Sequence, residues 1–383
     1  MRTTIGELAA AGVLSFGDGY RTRRDQLREP GYRILRVADV ADGVVNRTGP
    51  DFVSEELTAQ IGSKLSEQGD ILLTTKGTVG RVAEMPAGER VVYSPQLCYF
   101  RLNDEDRLSR RFLSLWFRSA EFVRQASHRA NNTDMAPYIN LADIRSLEIE
   151  VPPIATQRGI VEVLGAFDDK IAANRRVVAV SGELMDTALS EALASGSTTK
   201  SVGDIADFHN RRRVPLSGRE RELRVGGVPY YGAAGLVGFV DDQLFDEPLV
   251  LVGEDGTVVT DDGTAVVQYV WGPSWVNNHA HVLTGRTVST ELLAVIARRT
   301  RVSDLVTGAV QPKLSMGNLK RAQVVVPTEV AAVEHTIHAL SGSARALSDE
   351  TARLAATRDG LLPLLMSGKL TVKGAEKCAG EVL

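Results

Sequence analysis

Two stretches of the chain carry apolar residues at alternating spacings of four and three. The first runs through Ile160, Leu164, Phe167, Ile171, Asn174, Val178, Ser181, Met185, Ala188 and Ala192. The second runs through Val330, Val333, Ile337, Leu340, Ala344, Leu347, Thr351, Leu354, Arg358, Leu361 and Leu365. This is the seam of a long helix that meets one partner helix. No proline falls between 154 and 195, and the ~33 residues from 160 to 192 would span about 50 Å at ~1.5 Å per residue. Pro363 breaks the second ladder near its end, and Ser-Gly closes each helix. The polar seam residues Asn174, Ser181, Thr351 and Arg358 set register at some cost in stability. Only the short link SGSTTKS (195–201) and a whole domain separate the two helices. An antiparallel pair with one globular domain at each end follows most economically; a parallel pair with both domains at one end is the alternative. Val163, Val177 and Leu184 form a second stripe off the seam, for a globular domain or another protein to cover.

Outside the helices the pattern shortens toward period two, and two strand-rich domains are predicted. In the first, YRILRVADV (32–40), GDILLTTKGTVGRVAEM (69–85) and VVYSPQLCYFRL (91–102) read as strands with a glycine hairpin, and RRFLSLWFRSAEFVRQA (110–126) as a helix. In the second, PLVLVGEDGTVV (248–259), AVVQYVWG (265–272) and NNHAHVLTG (277–285) read as strands, and TELLAVIARRTRVSDL (290–305) as a helix. The chain is also written twice. APYINLADIRSLEIEVPP (136–153) matches QPKLSMGNLKRAQVVVPT (311–328), so that Pro137 maps to Pro312, Ile144 to Leu319 and Val151 to Val326. IGELA (5–9) resembles VGDIA (202–206), and LASG (193–196) resembles LMSG (365–368). The edges of the halves match and their interiors do not: two copies share a frame and carry different cargo.

Composition narrows the class without naming a chemistry. At 383 residues, 43% hydrophobic and 24% charged, the chain is an ordinary globular protein of two domains. No apolar run reaches the ~18 residues of a membrane span, and the start lacks the h-region of a signal peptide. Cys98 and Cys378 are the only cysteines and have no metal-ligand spacing, which favours a reducing cytoplasm. A net charge of −4 gives no global attraction to nucleic acid, so binding must rest on local clusters.

Catalytic motifs are missing. There is no P-loop, no dinucleotide fingerprint and no nucleophile elbow. VPPI (151–154) lacks the polar and aromatic flanks of an adenine-methyltransferase loop. His279 and His281 have the spacing of two metal ligands on one strand face but no nearby third ligand, and no metal is assigned. What remains is basic, polar and aromatic display on turns: Arg21, Arg23, Arg33, Arg36, Lys76 and Arg81 in the first domain, with Arg24 and Arg28 beside them. The second offers Arg211, Arg212, Arg213, Tyr230, Tyr231, Asn277, Asn278, His279 and Lys313. Each residue alone fits a solvated surface equally well. Clustered beside glycine hairpins, they suit a phosphate footprint with guanine and adenine edges in reach. In YYGAAGLVGFV (230–240), Gly232, Gly235 and Gly238 let backbone approach a ligand, with Tyr230 and Tyr231 as flat contact surface; core tyrosines on a kinked strand are the other reading.

VPYYGAAGLVGFVDD with LVLVGEDG and WVNNHAHVL, GDILLTTKGTVG with YSPQLCYFR, and LEIEVPPIATQRGIVEVLGAFDDKIAANRR together resemble the specificity (S) subunit of type I restriction–modification systems, in the family's order over nearly the whole chain. The second helical region departs: VPTEVAAVEHTIHAL lacks the Pro-Gln entry that Gln157 supplies in the first. The resemblance implies an α+β fold of two mixed α/β target recognition domains joined by two long antiparallel coiled-coil helices, an internal pseudo-two-fold repeat. Its boundaries fall at 1–153, 154–197, 198–328 and 329–372, with a flexible tail over 373–383. It implies a non-catalytic subunit that reads an asymmetric bipartite site in double-stranded DNA. It also implies docking to two methylation (M) subunits and to restriction (R) subunits, with S-adenosylmethionine and ATP on those partners and no cofactor on this chain. A self-sufficient DNA-modifying enzyme with degenerate motifs and a protein-interaction scaffold without DNA readout are the competing readings.

Overall fold

The computed structural model describes residues 1–129, 138–308, 311–380 and 382. Ala136 and Pro137 of the upstream repeat lie outside the described residues. Both heptad ladders are continuous helices: α1, Ile154–Ser195, of 42 residues, and α2, Ala331–Met366, of 36. α2 continues three residues past Pro363 and ends before Gly368, whose φ of +69° suits the left-handed stop that glycine takes without penalty.

The chain forms two compact units, Met1–Ile171 with Arg353–Leu383, and Ala172–Ala352. Both long helices contribute to each. In unit one, Ile160, Leu164, Phe167 and Ile171 of α1 share a core with Leu354, Leu361 and Leu365 of α2, and Arg358 pairs with Asp168 at 2.5 Å. In unit two, Asn174 donates to Glu350 at 2.7 Å, while further along α1 Met185 meets Ser341, and Met185 and Leu189 join Val333 and Ile337. As one helix ascends the other descends, so the pair is antiparallel. Val163, off the seam, is buried in the unit-one core, whereas Val177 and Leu184, with Val180 beside them, remain half exposed.

Each unit is built on the same four-stranded sheet. In unit one the strands are β1 (Leu14–Asp18), β2 (Ile71–Thr74), β3 (Val82–Glu84) and β4 (Leu97–Leu102), in spatial order β1-β4-β2-β3. In unit two they are β5 (Ala206–Phe208), β6 (Leu249–Gly253), β7 (Val267–Val270) and β8 (Ala280–Gly285), in order β5-β8-β6-β7. All of these pairings are antiparallel. A second sheet, three-stranded in unit one and four-stranded in unit two, is built around a parallel pair, Arg33 opposite Val91 in one and Tyr230 opposite Trp275 in the other. A two-stranded ribbon closes each unit, Arg2–Thr4 with Glu148–Glu150 and Ser197–Ser201 with Gln323–Pro327.

The helix entries differ in sequence and agree in function. Gln157 is fully buried; its carbonyl accepts the N–H of Ser109, which caps the helix Arg110–Trp116, and its amide donates to the carbonyls of Pro152 and Arg107. Unit two lacks that glutamine, but Glu334 accepts the N–H of Ser289, the cap of the helix Thr290–Arg298.

Three expectations are corrected. The helix expected over 110–126 is two, Arg110–Trp116 and Ala120–Arg129, separated by a turn that lets Trp116, Phe117 and Phe122 pack ring on ring. The strand expected over 32–40 is Leu27–Leu35, followed by a short 3-10 turn. The flexible tail expected over 373–383 instead contributes to a helix, Val372–Gly380, whose Ala375 and Ala379 enter the unit-one core at the i, i+4 spacing of one helical face.

Candidate nucleic-acid interface

The all-antiparallel sheets of the two units carry one loop in common, built by the same hydrogen bonds. In unit one the loop after β2 is Thr75-Lys76-Gly77-Thr78. Thr75 N–H donates to the carbonyl of Gln96 at 3.0 Å, Thr75 carbonyl accepts from Ile139 N–H at 3.0 Å, and Lys76 bridges Tyr138. In unit two the loop after β6 is Glu254-Asp255-Gly256-Thr257. Glu254 N–H donates to the carbonyl of His279 at 2.7 Å, Glu254 carbonyl accepts from Leu314 N–H at 2.9 Å, and Asp255 bridges Lys313. Gly77 and Gly256 follow with φ of +81° and +89°, a region that strains any side chain and fixes the turn. Thr75 thus corresponds to Glu254, Lys76 to Asp255, Gln96 to His279 and Tyr138 to Lys313.

The chemistry at the shared positions differs. In unit one the loop is held by neutral groups: Thr75 Oγ1 donates to the carbonyl of Gln96 at 2.9 Å, and Thr74 Oγ1 accepts from Arg81 N–H at 3.0 Å. Lys76 and Gln96 are exposed and Tyr138 is half-buried. In unit two the loop carries two carboxylates. Glu254 pairs with Arg213 at 2.6 Å, both groups largely shielded from solvent. Asp255, 17% exposed, holds Lys313 at 3.0 Å and lies 3.7 Å from His279, which are each half exposed. His281 behind them is fully buried. Its Nε2–H donates to the carbonyl of Leu314 at 2.7 Å, so Nδ1 accepts from the Asn210 amide at 2.8 Å. Burial holds its pKa below the usual histidine value, partly opposed by the Leu314 carbonyl and the Glu254 carboxylate, and the imidazole stays neutral. His279 and His281 therefore do different work, and among the described residues no three His, Cys, Asp or Glu side chains come together around a metal position.

The other expected contact residues divide by exposure. Arg21, Arg23, Arg211 and Asn278 are exposed. Arg36 is exposed and paired with Asp51. Arg212 is exposed, paired with Glu247 at 2.7 Å and stacked 4.2 Å from the Phe245 ring. Arg81 is half-buried and donates weakly to the Val40 carbonyl at 3.4 Å. Arg33 is half-buried, donating to the Gly49 carbonyl and lying 4.4 Å from the Phe52 ring. Arg213 spends its guanidinium inside the unit, on Glu254 and on the carbonyls of Asn210, Asn278 and Ala280. Asn277 is buried and its carbonyl caps the N–H of His279.

YYGAAGLVGFV is a hairpin of the second sheet of unit two, strands Val228–Tyr231 and Leu236–Val240. Tyr230, at 2% exposure, packs with Val240 and Trp275, and its hydroxyl accepts the N–H of Leu216 at 3.2 Å. It is a core tyrosine, not a flat contact surface; Tyr231 is half-buried, and burial raises its pKa. The hairpin's exposed face is instead Leu236, Val237 and Phe239.

Sequence reasoning missed Thr75, Gln96, Tyr138, Glu254 and Asp255. A signal was present. Tyr138 and Lys313 close the matched strings APY and QPK and each bridges a glycine hairpin, but the spacing between string and hairpin differs in the two halves, so matching strings did not connect them.

Among known proteins, a family model described as the type I restriction modification DNA specificity domain matches residues 4–179 and 194–334. A curated relative from Haemophilus influenzae, named as a candidate type I restriction enzyme specificity subunit, is 27% identical over 160 residues, 39% of this chain and 40% of that one. The crystal structure of a type I restriction–modification S subunit from M. genitalium is similar in fold, with a TM-score of 0.57, 17% identity and 95% of each chain covered.

Proposed function

Because the chain belongs to the type I restriction modification DNA specificity family, as its non-catalytic specificity component, we propose that its two units read the two halves of an asymmetric bipartite DNA target and that its paired helices dock methylation subunits. The observation that carries this reading is the pair of loops: one hydrogen-bonded frame, repeated, with different side chains on it. A repeated frame with unlike residues suits two unlike half-sites. The exposed arginines Arg21, Arg23 and Arg211 suit phosphate contacts, which position a protein without reading sequence. The half-exposed stripe Val177, Val180 and Leu184 suits a partner helix face on a methylation subunit. S-adenosylmethionine would sit on that subunit, and ATP on restriction subunits that join it.

The test is the methylated motif, mapped in cells with and without this chain. A bipartite motif that disappears with the chain supports the reading; an unchanged methylome overturns it. Phosphate contact is tested separately by Arg211→Glu in the assembled complex. DNA binding should weaken evenly across sequences, with the salt slope shallower by about one. Reversal of Arg213 is no such test, because its guanidinium is part of the unit-two interior. Matched heptad insertions in α1 and α2 should lengthen the preferred spacer between half-sites, and an unchanged spacer would sink the role of the helices as a ruler. Methyl transfer by the purified chain alone would favour the self-sufficient enzyme instead.

A further inference from the structure

The two corresponding loops show a charge exchange that the functional reading does not by itself assign. In unit one the cation, Lys76, lies on the loop arm and faces Tyr138 on the clamping arm. In unit two the loop arm carries Asp255 and the cation, Lys313, lies on the clamping arm, tied to it at 3.0 Å. Cross-strand partners of an antiparallel bridge lie about 5 Å apart, so the exchange moves the lysine by one cross-strand step at its Cα. Among the described residues Lys76 has no ion-pair partner. It is exposed, as is Gln96, whose carbonyl receives the loop.

We propose that this clamped corner is the base-reading point of each unit, with Lys76 in one and Lys313 in the other as the guanine-reading cation, and with Asp255 as the residue that positions Lys313. The proposal rests on the DNA-reading function above and names where in each unit that reading occurs. A lysine ammonium offers three donors and no acceptor, which matches the O6 and N7 acceptors of guanine in the major groove. Gln96 and His279 stand at the same place beside the two cations, and each presents a donor and an acceptor to a neighbouring base edge. Asp255 keeps a long, flexible lysine in one place, which a phosphate contact would not require.

The experiment selects bound duplexes from a library randomised in both half-sites, using the full chain assembled with its methylation subunits. Lys76→Gln should flatten the preference for guanine at one position of one half-site by about tenfold and leave the other half-site as it was. Lys313→Gln should do the same in the opposite half-site. Asp255→Asn should act on the same position as Lys313→Gln, and the double variant should lose no more than Lys313→Gln alone. Lys76 and Lys313 are both substantially exposed, and thermal melts check that each variant stays folded. Even weakening across all sequences would make the lysines phosphate contacts and overturn the proposal. So would a guanine preference that survives both substitutions in a complex whose unmodified form is selective. An unmodified complex with no preference at all would overturn the functional reading together with the proposal.

Discussion

Units one and two place an arginine-paired acid differently relative to the loop they share. In unit one it is Asp70, 1% exposed, at the start of β2; it accepts from the Tyr93 hydroxyl at 2.7 Å and from the Arg101 guanidinium at 2.8 Å. The tyrosine hydroxyl is pushed far up by burial and by that carboxylate, and remains a donor. This network lies at the opposite end of β2 from the Lys76 loop. In unit two a partly buried acid, Glu254, lies inside the loop itself, with Arg213 and His281 behind it, while the buried Glu291 pairs with Arg345 away from the loop. The same sheet thus supports a loop fastened by neutral threonine hydroxyls in one unit and by a network of charged and titratable groups in the other. Where a frame is repeated, the anchor of a loop is free to change as long as its backbone hydrogen bonds do not.

Removing each acid gives the largest expected effect. Asp70→Ala should destabilise unit one by about 3 kcal/mol, because it takes the buried acceptor from the Tyr93 hydroxyl and leaves the largely buried Arg101 guanidinium only Glu67 and the Ser63 and Leu65 carbonyls. It should leave base preference unchanged wherever the unit still folds. Glu254→Ala should cost unit two a similar amount and, if the proposed corner reads bases, also blur its half-site, since the lost carboxylate belongs to that corner. Urea titrations followed by hydrogen exchange on β4 and β8 separate the two units. Equal loss of preference in both variants would break the distinction.

The next effect is pH dependence, expected from His281 in unit two. Its pKa is lower in the folded unit than the ordinary value near 6.5, so the unfolded chain binds the proton more readily. Stability from this histidine is complete above about pH 6.5 and is lost as pH falls below it. Exchange protection in β8 should therefore fall between pH 7.5 and 5.5, and His281→Gln should flatten that dependence. Protection that rises on acidification would reverse the assignment of a neutral imidazole.

The smallest effect lies in the helix seam. Thr351 has a buried hydroxyl without a partner among the described residues, whereas Arg358 in unit one is satisfied by Asp168 and Asp359. Thr351→Val should raise the unfolding midpoint by the equivalent of about 1 kcal/mol. Arg358→Met should lower stability or leave it unchanged. A stabilising Arg358→Met would mean that both polar seam positions cost the fold alike.

The helices were the most legible part of the sequence, because a heptad repeats one local rule over tens of residues. Nearly all of the seam from Ile160 to Ala192 is buried or half-buried as spaced. Some strands were legible in place, but Leu14–Asp18 and Ala206–Phe208 were not, the strand expected over 32–40 is Leu27–Leu35, and none was legible in partnership. VVYSPQLCYFRL supplies two strands that join different sheets: Val91–Tyr93 runs parallel to Leu27–Leu35, and β4 lies between β1 and β2. Lys76 and Lys313, the exposed lysines of the two corresponding corners, were singled out by residue type. Type alone could not separate Arg211 from Arg213, three carbonyls and a carboxylate apart, nor expose Tyr230 as core. These distinctions depend on which segment folds over the residue, and that information is non-local.

The discontinuity of unit one bears on how the molecule is made. Its core needs residues 1–171 together with Leu354, Leu361, Leu365, Ala375 and Ala379, whereas unit two is contiguous from 172 to 352. Gly159 lies flush against Val372, where an added Cβ would stand 2.8 Å from a valine methyl, so the last helix seats directly on the first turns of α1. On the ribosome, then, the half that emerges second can finish first, and the half that emerges first must wait for Leu354 to Ala379 before its interior closes.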